Sequence, residues 1–212
     1  MRSAGSIPTT SPSPSHELLE KLEVFKVQGR DKRGRKILRI IGKFFPARVL
    51  TGTEGEEELK RYLERKIFPE IGKTPFCVVY VHTCVHRPDN FPGVSFLRSI
   101  YESLPAAVRD GMEAVYFVHP GLQARLFFAT FGRFLFSAGL YGKMRYVSRL
   151  EFLGEHMRKG EIELPEFVRD HDEELERRPL MDYGLEIGHH HRDYDAPAMD
   201  SAASMYSLRC IS

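Results

Sequence analysis

The chain has 212 residues, 42% of them hydrophobic, which suffices for one domain with a genuine core. A formal net charge of only +2 excludes a general nucleic-acid coat. Three cysteines, Cys77, Cys84 and Cys210, are too few for a disulfide framework and fit a reducing cytoplasm.

Residues 1–15 are rich in Ser, Thr and Pro and are expected to form a disordered leader, without the apolar core of a signal peptide. Within them, Ser11-Pro12 and Ser13-Pro14 are dipeptides that proline-directed kinases accept. Leu18, Leu19, Leu22 and Phe25 have the spacing of a helix over 16–25. The charged turn "GRDKRGRK" (29–36) leads into a first strand, "KILRIIG" (36–42). An amphipathic helix follows over 54–68, and then the apolar run "FCVVYV" (76–81). Continuous apolar runs belong to strands covered on both faces, as in parallel sheets. Residues 94–108 predict a helix interrupted near Pro105, and "AVYFV" (114–118) repeats the buried-strand signature. A helix over 121–138, a short strand at 143–147 and a helix at 150–157 complete the pattern.

This alternation predicts an α/β fold, a mostly parallel sheet of four to five strands flanked by helices. The domain is expected to span 16–172, with a mostly disordered tail over 173–212. No stretch reaches the ~18 apolar residues a spanning helix needs, and Cys210 stands third from the end, where prenylation requires fourth. Any membrane contact is therefore expected to be peripheral.

Charge is unevenly spread. Residues 26–48 carry nine Lys or Arg against one acid, Asp31, and residues 150–178 carry ten acids against five bases. The acidic portion 161–176 is expected to lie against the basic strip at 30–43. Between them, 114–150 holds Arg125, Arg133, Lys143, Arg145 and Arg149 and no carboxylate. Such a distribution suits an anionic partner, although solvated helix faces would produce it too.

On a helical wheel, Ala124, Phe127, Phe128, Phe131, Phe134, Leu135 and Ala138 share one sector about 120° wide. Leu126 and Phe136 fall opposite, among Arg125, Arg133 and Ser137. A helix packed on one sheet needs no apolar groups there, so this segment calls for a second apolar environment: a partner protein, a bound lipid or a membrane interface.

His82 and His119 both follow strands at their carboxyl ends, where open α/β sheets place ligands. A paired-histidine site is one reading, and loop hydrogen bonding is the other. Outside the tail no HxH, HExxH or CxxC spacing indicates a metal, no glycine-rich phosphate loop or G-x-S-x-G occurs, and neither Cys77 nor Cys84 has a thiolate-stabilising partner. No catalytic set and no cofactor are expected. "HHH" at 189–191, in the tail, is read as adventitious.

"GRDKRGRKILRIIGKFFP", "FCVVYVHTCVHRPDNFPGVSFLRSIYESLPAAVRDGMEAVYFVHPG" and "LPEFVRDHD" together resemble the divergent CRAL-TRIO branch. That branch includes the BCH domains of Rho GTPase-activating proteins and the carboxyl-terminal domain of ganglioside-induced differentiation-associated proteins. The resemblance covers about 29–172 and implies a sheet and helices around an apolar pocket, closed by a gate helix at about 121–138. Phosphatidylinositol-transfer members use a Glu–Lys pair near the head group. Lys143 falls at the lysine position, whereas Arg109 stands near that of the glutamate, a departure that leaves phosphatidylinositol unassigned.

The favoured expectation is a non-enzymatic domain that binds or transfers a hydrophobic ligand, a phospholipid, and docks peripherally on anionic membrane. Phe127, Phe131, Phe134 and Leu135 would touch the ligand. Val79, Val81, Tyr116 and Val118 would floor the pocket, with His82 and His119 at its end. Arg125, Arg133, Lys143, Arg145 and Arg149 would meet the head group or membrane. The alternative is a protein-interaction scaffold that binds a small GTPase or forms a homodimer, and a third reading is an enzyme using His82 and His119.

Overall fold

In the computed structural model, the charged stretch around Asp31 is a hairpin turn whose geometry explains its composition. Asp31 Oδ1 accepts the main-chain N–H groups of Arg33 (2.9 Å) and Arg35 (2.8 Å), while Oδ2 pairs with the Arg35 guanidinium at 2.6 Å. Arg35 reaches on to Glu113 at 2.9 Å. Asp31 and Arg35 are both buried, and an ionised group out of water is tolerated when paired and hydrogen-bonded. The structure describes residues 13–135, 138–178 and 181, and for 133–135 and 138 the backbone alone.

This turn joins β1 (Phe25–Arg30) to an antiparallel β2 (Lys36–Ile41). The helix expected over 16–25 is shorter and earlier: α1 is Pro14–Lys21, capped by Ser13. Its start falls inside the stretch expected to be a disordered leader, of which 1–12 lie outside the described residues. Glu23, with a left-handed backbone (φ 47°), turns the chain into β1.

Strands β3 (Phe76–Val81), β4 (Met112–Val118) and β5 (Met144–Val147) then add in turn, so spatial order repeats chain order and every pair after the first is parallel. The crossover from β2 to β3 holds α2 (Gly52–Tyr62), a π-helical stretch (Leu63–Ile67) and α3 (Phe68–Ile71). The next holds α4 (Arg87–Asn90), α5 (Val94–Ser103) and α6 (Ala106–Gly111). The last holds α7 (Leu122–Leu135) and α8 (Ala138–Lys143). After β5 come α9 (Leu150–Gly154) and α10 (Glu166–Arg177).

Parallel crossovers share one hand, so strands added in one direction place all their crossover helices on one face. The two cores follow this rule. Leu38, Phe76, Val78 and Met112 pack with Leu59, Tyr62, Phe96 and Ile100 from the crossovers. On the other face Ile37, Cys77, Val79, Tyr116 and Val118 pack with Leu153, Met157 and Val168, all supplied after β5. Cover on both faces is why β3 and β4 read as unbroken apolar runs.

The segment before α10 returns across β1. Glu161 accepts the Arg30 N–H (2.8 Å), Glu163 pairs with Lys26 (2.8 Å), and Arg39 donates to the Glu163 carbonyl (3.1 Å). Gly29, at φ 52°, lies so close beneath Glu161 that a Cβ there would collide with it. Lys43 sits 4.2 Å over the Phe167 ring. The first part of the acidic segment, 161–167, thus lies on the basic strip, whereas Asp172 turns to His119. Helix α10 continues to Arg177, past the boundary expected at 172. The remainder of the tail expected to be disordered, including "HHH" and Cys210, lies outside the described residues, apart from Arg178 and Met181.

Candidate functional site

Register sets the site. Ile40, Tyr80, Phe117 and Tyr146 stand side by side on four adjacent strands, on the face that carries the crossover helices. Phe117 stacks on Tyr80 (5.1 Å between ring centres, 8° between planes), and Tyr146 meets it edge-on at 6.2 Å. The His82 ring joins them 5.2 Å from Phe117, and its main-chain N–H extends the ladder to the Val118 carbonyl (2.9 Å). Burial pushes the Tyr80 hydroxyl well above its ordinary range and pulls the His82 imidazole down to about 4. His82 is therefore neutral near pH 7 and behaves as one more ring of the cluster.

Helix α7 reaches this row through Phe128, whose ring meets Phe117 at 5.4 Å. Phe127 is half-buried beside it at 5.5 Å, and Phe131 follows Phe127 at 5.7 Å. The inward line of the helix is centred on Phe128, so Phe131, expected to face inward, lies at the rim and is 52% exposed. Leu126, expected on the outer flank, is 57% exposed. Gly132 leaves room for the Tyr141 ring of α8 against the α7 backbone. The side chains of Arg133, Phe134 and Leu135 lie outside the described residues.

Val79, Val81, Tyr116 and Val118, expected beneath this helix, are on the opposite face, in the core with α9 and α10. Strand side chains alternate, so the residues under α7 are the alternate set, Tyr80 and Phe117. A sequence signal for them exists: each stands two residues before its histidine, in "YVH" and "FVH".

The two histidines do not form a pair. His119 leaves β4 with a left-handed backbone (φ 50°) and is buried on the α10 side. Its Nδ1 is 2.8 Å from Thr83 Oγ1 and its Nε2 is 2.9 Å from Asp172 Oδ1, an oxygen that also accepts the Leu150 N–H (2.9 Å). Hydroxyl, imidazole and carboxylate follow the order of a hydrolytic triad. Thr83 is only 1% exposed, however, and the set fastens α10 and α9 to the end of the sheet. Among the described residues no group of three His, Cys, Asp or Glu side chains is arranged to hold a metal.

The basic residues are divided between the two faces: in register Arg145 stands beside Tyr116, on the α9–α10 face, whereas Arg125 is on α7. Lys143 Nζ donates to the Arg109 carbonyl (3.3 Å), which brings together the two positions compared with the head-group pair. Arg145 is exposed and bonds the Gly142 and Met144 carbonyls (3.1 and 3.0 Å). Arg149 bonds the Leu175 carbonyl in the last turn of α10 (3.0 Å), and Arg125 is half-buried on α7.

The family model of the divergent CRAL/TRIO domain matches residues 34–174. The chain belongs to this family. The CRAL/TRIO match begins inside the β1–β2 turn and ends within α10, so it contains α7 and both cores apart from the contribution of α1, β1 and the link between them, such as Leu19 and Val24. This CRAL/TRIO chain is similar to the Protein GDAP2 homolog of Drosophila melanogaster, 28% identical over 144 residues (68% of this chain, 25% of the relative). It is also similar to ganglioside-induced differentiation-associated protein 2 of Xenopus tropicalis, 27% identical over 154 residues (71% and 29%). For the protein of that name from Homo sapiens the values are 24% over 157 residues (73% and 30%). The chain thus spans less than a third of these curated relatives. Among the described residues, no helix of this CRAL/TRIO domain is long and apolar enough to cross a membrane.

Proposed function

We propose that this domain binds a phospholipid between α7 and the Tyr80–Phe117–Tyr146 row, and docks on anionic membrane through the outer flank of α7. Family membership points to a hydrophobic ligand, and the phospholipid and the membrane are our reading. The observation that carries it is the double character of α7. Phe128 faces the aromatic row while Leu126 and Phe131, on the same helix, face water. Each large apolar side chain gains ~1.5–3 kcal/mol on burial, so a helix that must face lipid and sheet in turn would carry both sets.

Charge favours an anionic partner. Residues 114–150 hold five cations and no carboxylate, and each cation near anionic lipid adds ~1 kcal/mol. Phe127, Phe131, Phe134 and Leu135 would contact acyl chains. Lys143, Arg145 and Arg149, with Arg125 and Arg133, would face head groups at a cytoplasmic membrane surface. Binding and transfer, rather than catalysis, is the assigned activity. Native mass spectrometry of the gently purified chain tests this, together with extraction of fluorescent phospholipid from vesicles. A chain that carries no lipid and extracts none overturns the reading.

A further inference from the structure

The Ser13-Pro14 dipeptide is not part of the site above, and its surroundings are specific. Ser13 has an extended backbone (φ −67°, ψ 153°), Pro14 is exposed, and the Ser13 Oγ accepts the His16 N–H at the start of α1. The same hydroxyl donates to Glu58 Oε2 on α2 at 2.7 Å. Glu58 is largely buried, and its two oxygens are divided: Oε2 faces Ser13 and the His16 Nε2 (3.2 Å), while Oε1 takes Arg61 (2.6 Å). The Ser13 hydrogen bond is the leading reason the Glu58 carboxyl is held below its ordinary range. Around this contact α1 buries Leu19 completely, sets the His16 ring against Tyr62 at 5.5 Å, and pairs Glu20 with Lys66 at 2.7 Å.

We propose that Ser13 is a phosphorylation site for a proline-directed kinase, and that its phosphate releases α1 from α2. This inference is independent of the lipid reading. The γ-phosphoryl group of a nucleoside triphosphate passes to Ser13 Oγ, the hydroxyl proton is lost, and the nucleoside diphosphate leaves. The donor to Glu58 disappears, and a group of charge about −1.5 to −2 takes its place beside a carboxylate. A phosphate at a helix start is ordinarily favourable, and a nearby arginine would strengthen that. Here Arg61 is held by the far oxygen of the same carboxylate, so the phosphate meets Glu58 first. Repulsion prevails, and Leu19 leaves the core with the helix.

The test uses the full chain carrying Ser11→Ala and Thr74→Ala, which removes the other dipeptides such a kinase accepts. After treatment with a proline-directed kinase and ATP, modification is mapped by mass spectrometry and amide exchange is followed. Exchange across 16–22 is expected to accelerate on the order of tenfold or more. In a Glu58→Gln background, where a neutral amide replaces the like charge, the same modification should accelerate it less than about threefold. Failure to modify Ser13, unchanged or slowed exchange, or an equal effect in both backgrounds would each overturn the proposal.

Discussion

Phe128 on α7 and Phe117 on β4 form a T-shaped pair with ring centres 5.4 Å apart and planes at 78°. Such T-shaped pairs contribute ~0.5–1.5 kcal/mol beyond their buried area. Phe128→Ala is expected to lower the unfolding free energy by ~1–3 kcal/mol, less than for a fully buried phenylalanine. Amide exchange should quicken across 122–135 more than across β4. Urea unfolding and exchange mass spectrometry check both. Equal acceleration in helix and strand would mean that the pair holds the whole domain rather than the helix.

Leu126 is largely exposed, so Leu126→Asp should change stability by less than ~1 kcal/mol, and Phe131→Asp, which also gives up the Phe127 contact, by ~1–2 kcal/mol. Sedimentation with phosphatidylserine vesicles should show each substitution weakening binding by about tenfold or more. A scaffold gives a different pattern. There Leu126→Asp abolishes self-association or GTPase binding and leaves the vesicles bound.

Asp172→Ala removes the carboxylate that receives both His119 Nε2 and the Leu150 N–H. Two donors then lose their partner, at a cost of ~2–4 kcal/mol. Thermal unfolding should show the loss, and limited proteolysis should cut first in α10. Asp172→Asn, which keeps an acceptor, should fall between the two. A variant that melts like the parent would show that α10 is held by its apolar face alone.

His82 gives the domain a pH dependence. Its folded pKa of about 4 lies below the ordinary value, so between 6.5 and 4 the unfolded chain binds a proton that the folded chain refuses. Stability is complete above 6.5 and falls as pH drops through that window. The loss amounts to about 2 kcal/mol by pH 5. His82→Phe keeps a ring among Tyr80 and Phe117 and should flatten this segment of the profile. Urea midpoints of parent and variant at pH 7 and pH 5 make the comparison, and parallel slopes would remove His82 from the account.

The parallel strands were legible because burial on both faces leaves an unbroken apolar run, as in "FCVVYV" and "AVYFV". Strand β1 was not. Its alternation, Phe25-Lys26-Val27-Gln28, was hidden by helical spacing that also ends on Phe25. Pro105 did separate α5 from α6, as its missing N–H requires. The helix after His119 was recognisable from its phenylalanines, but which strand residues it covers was not. A one-residue difference in register exchanges the two faces, and only the folded sheet places Tyr80 and Phe117, rather than Val79 and Tyr116, beneath Phe128. His119 and Asp172 are far apart in sequence, and nothing local to either names the other.

Because each strand pairs with the one made just before it, the sheet can assemble as the nascent chain leaves the ribosome. Only one face is finished in that process. The surface of Cys77, Val79 and Val118 waits for Leu153 and Val168, which are synthesised after every strand. During that interval a half-clad sheet is sticky, so premature termination ahead of α10 should produce aggregates or chaperone clients rather than a smaller stable domain.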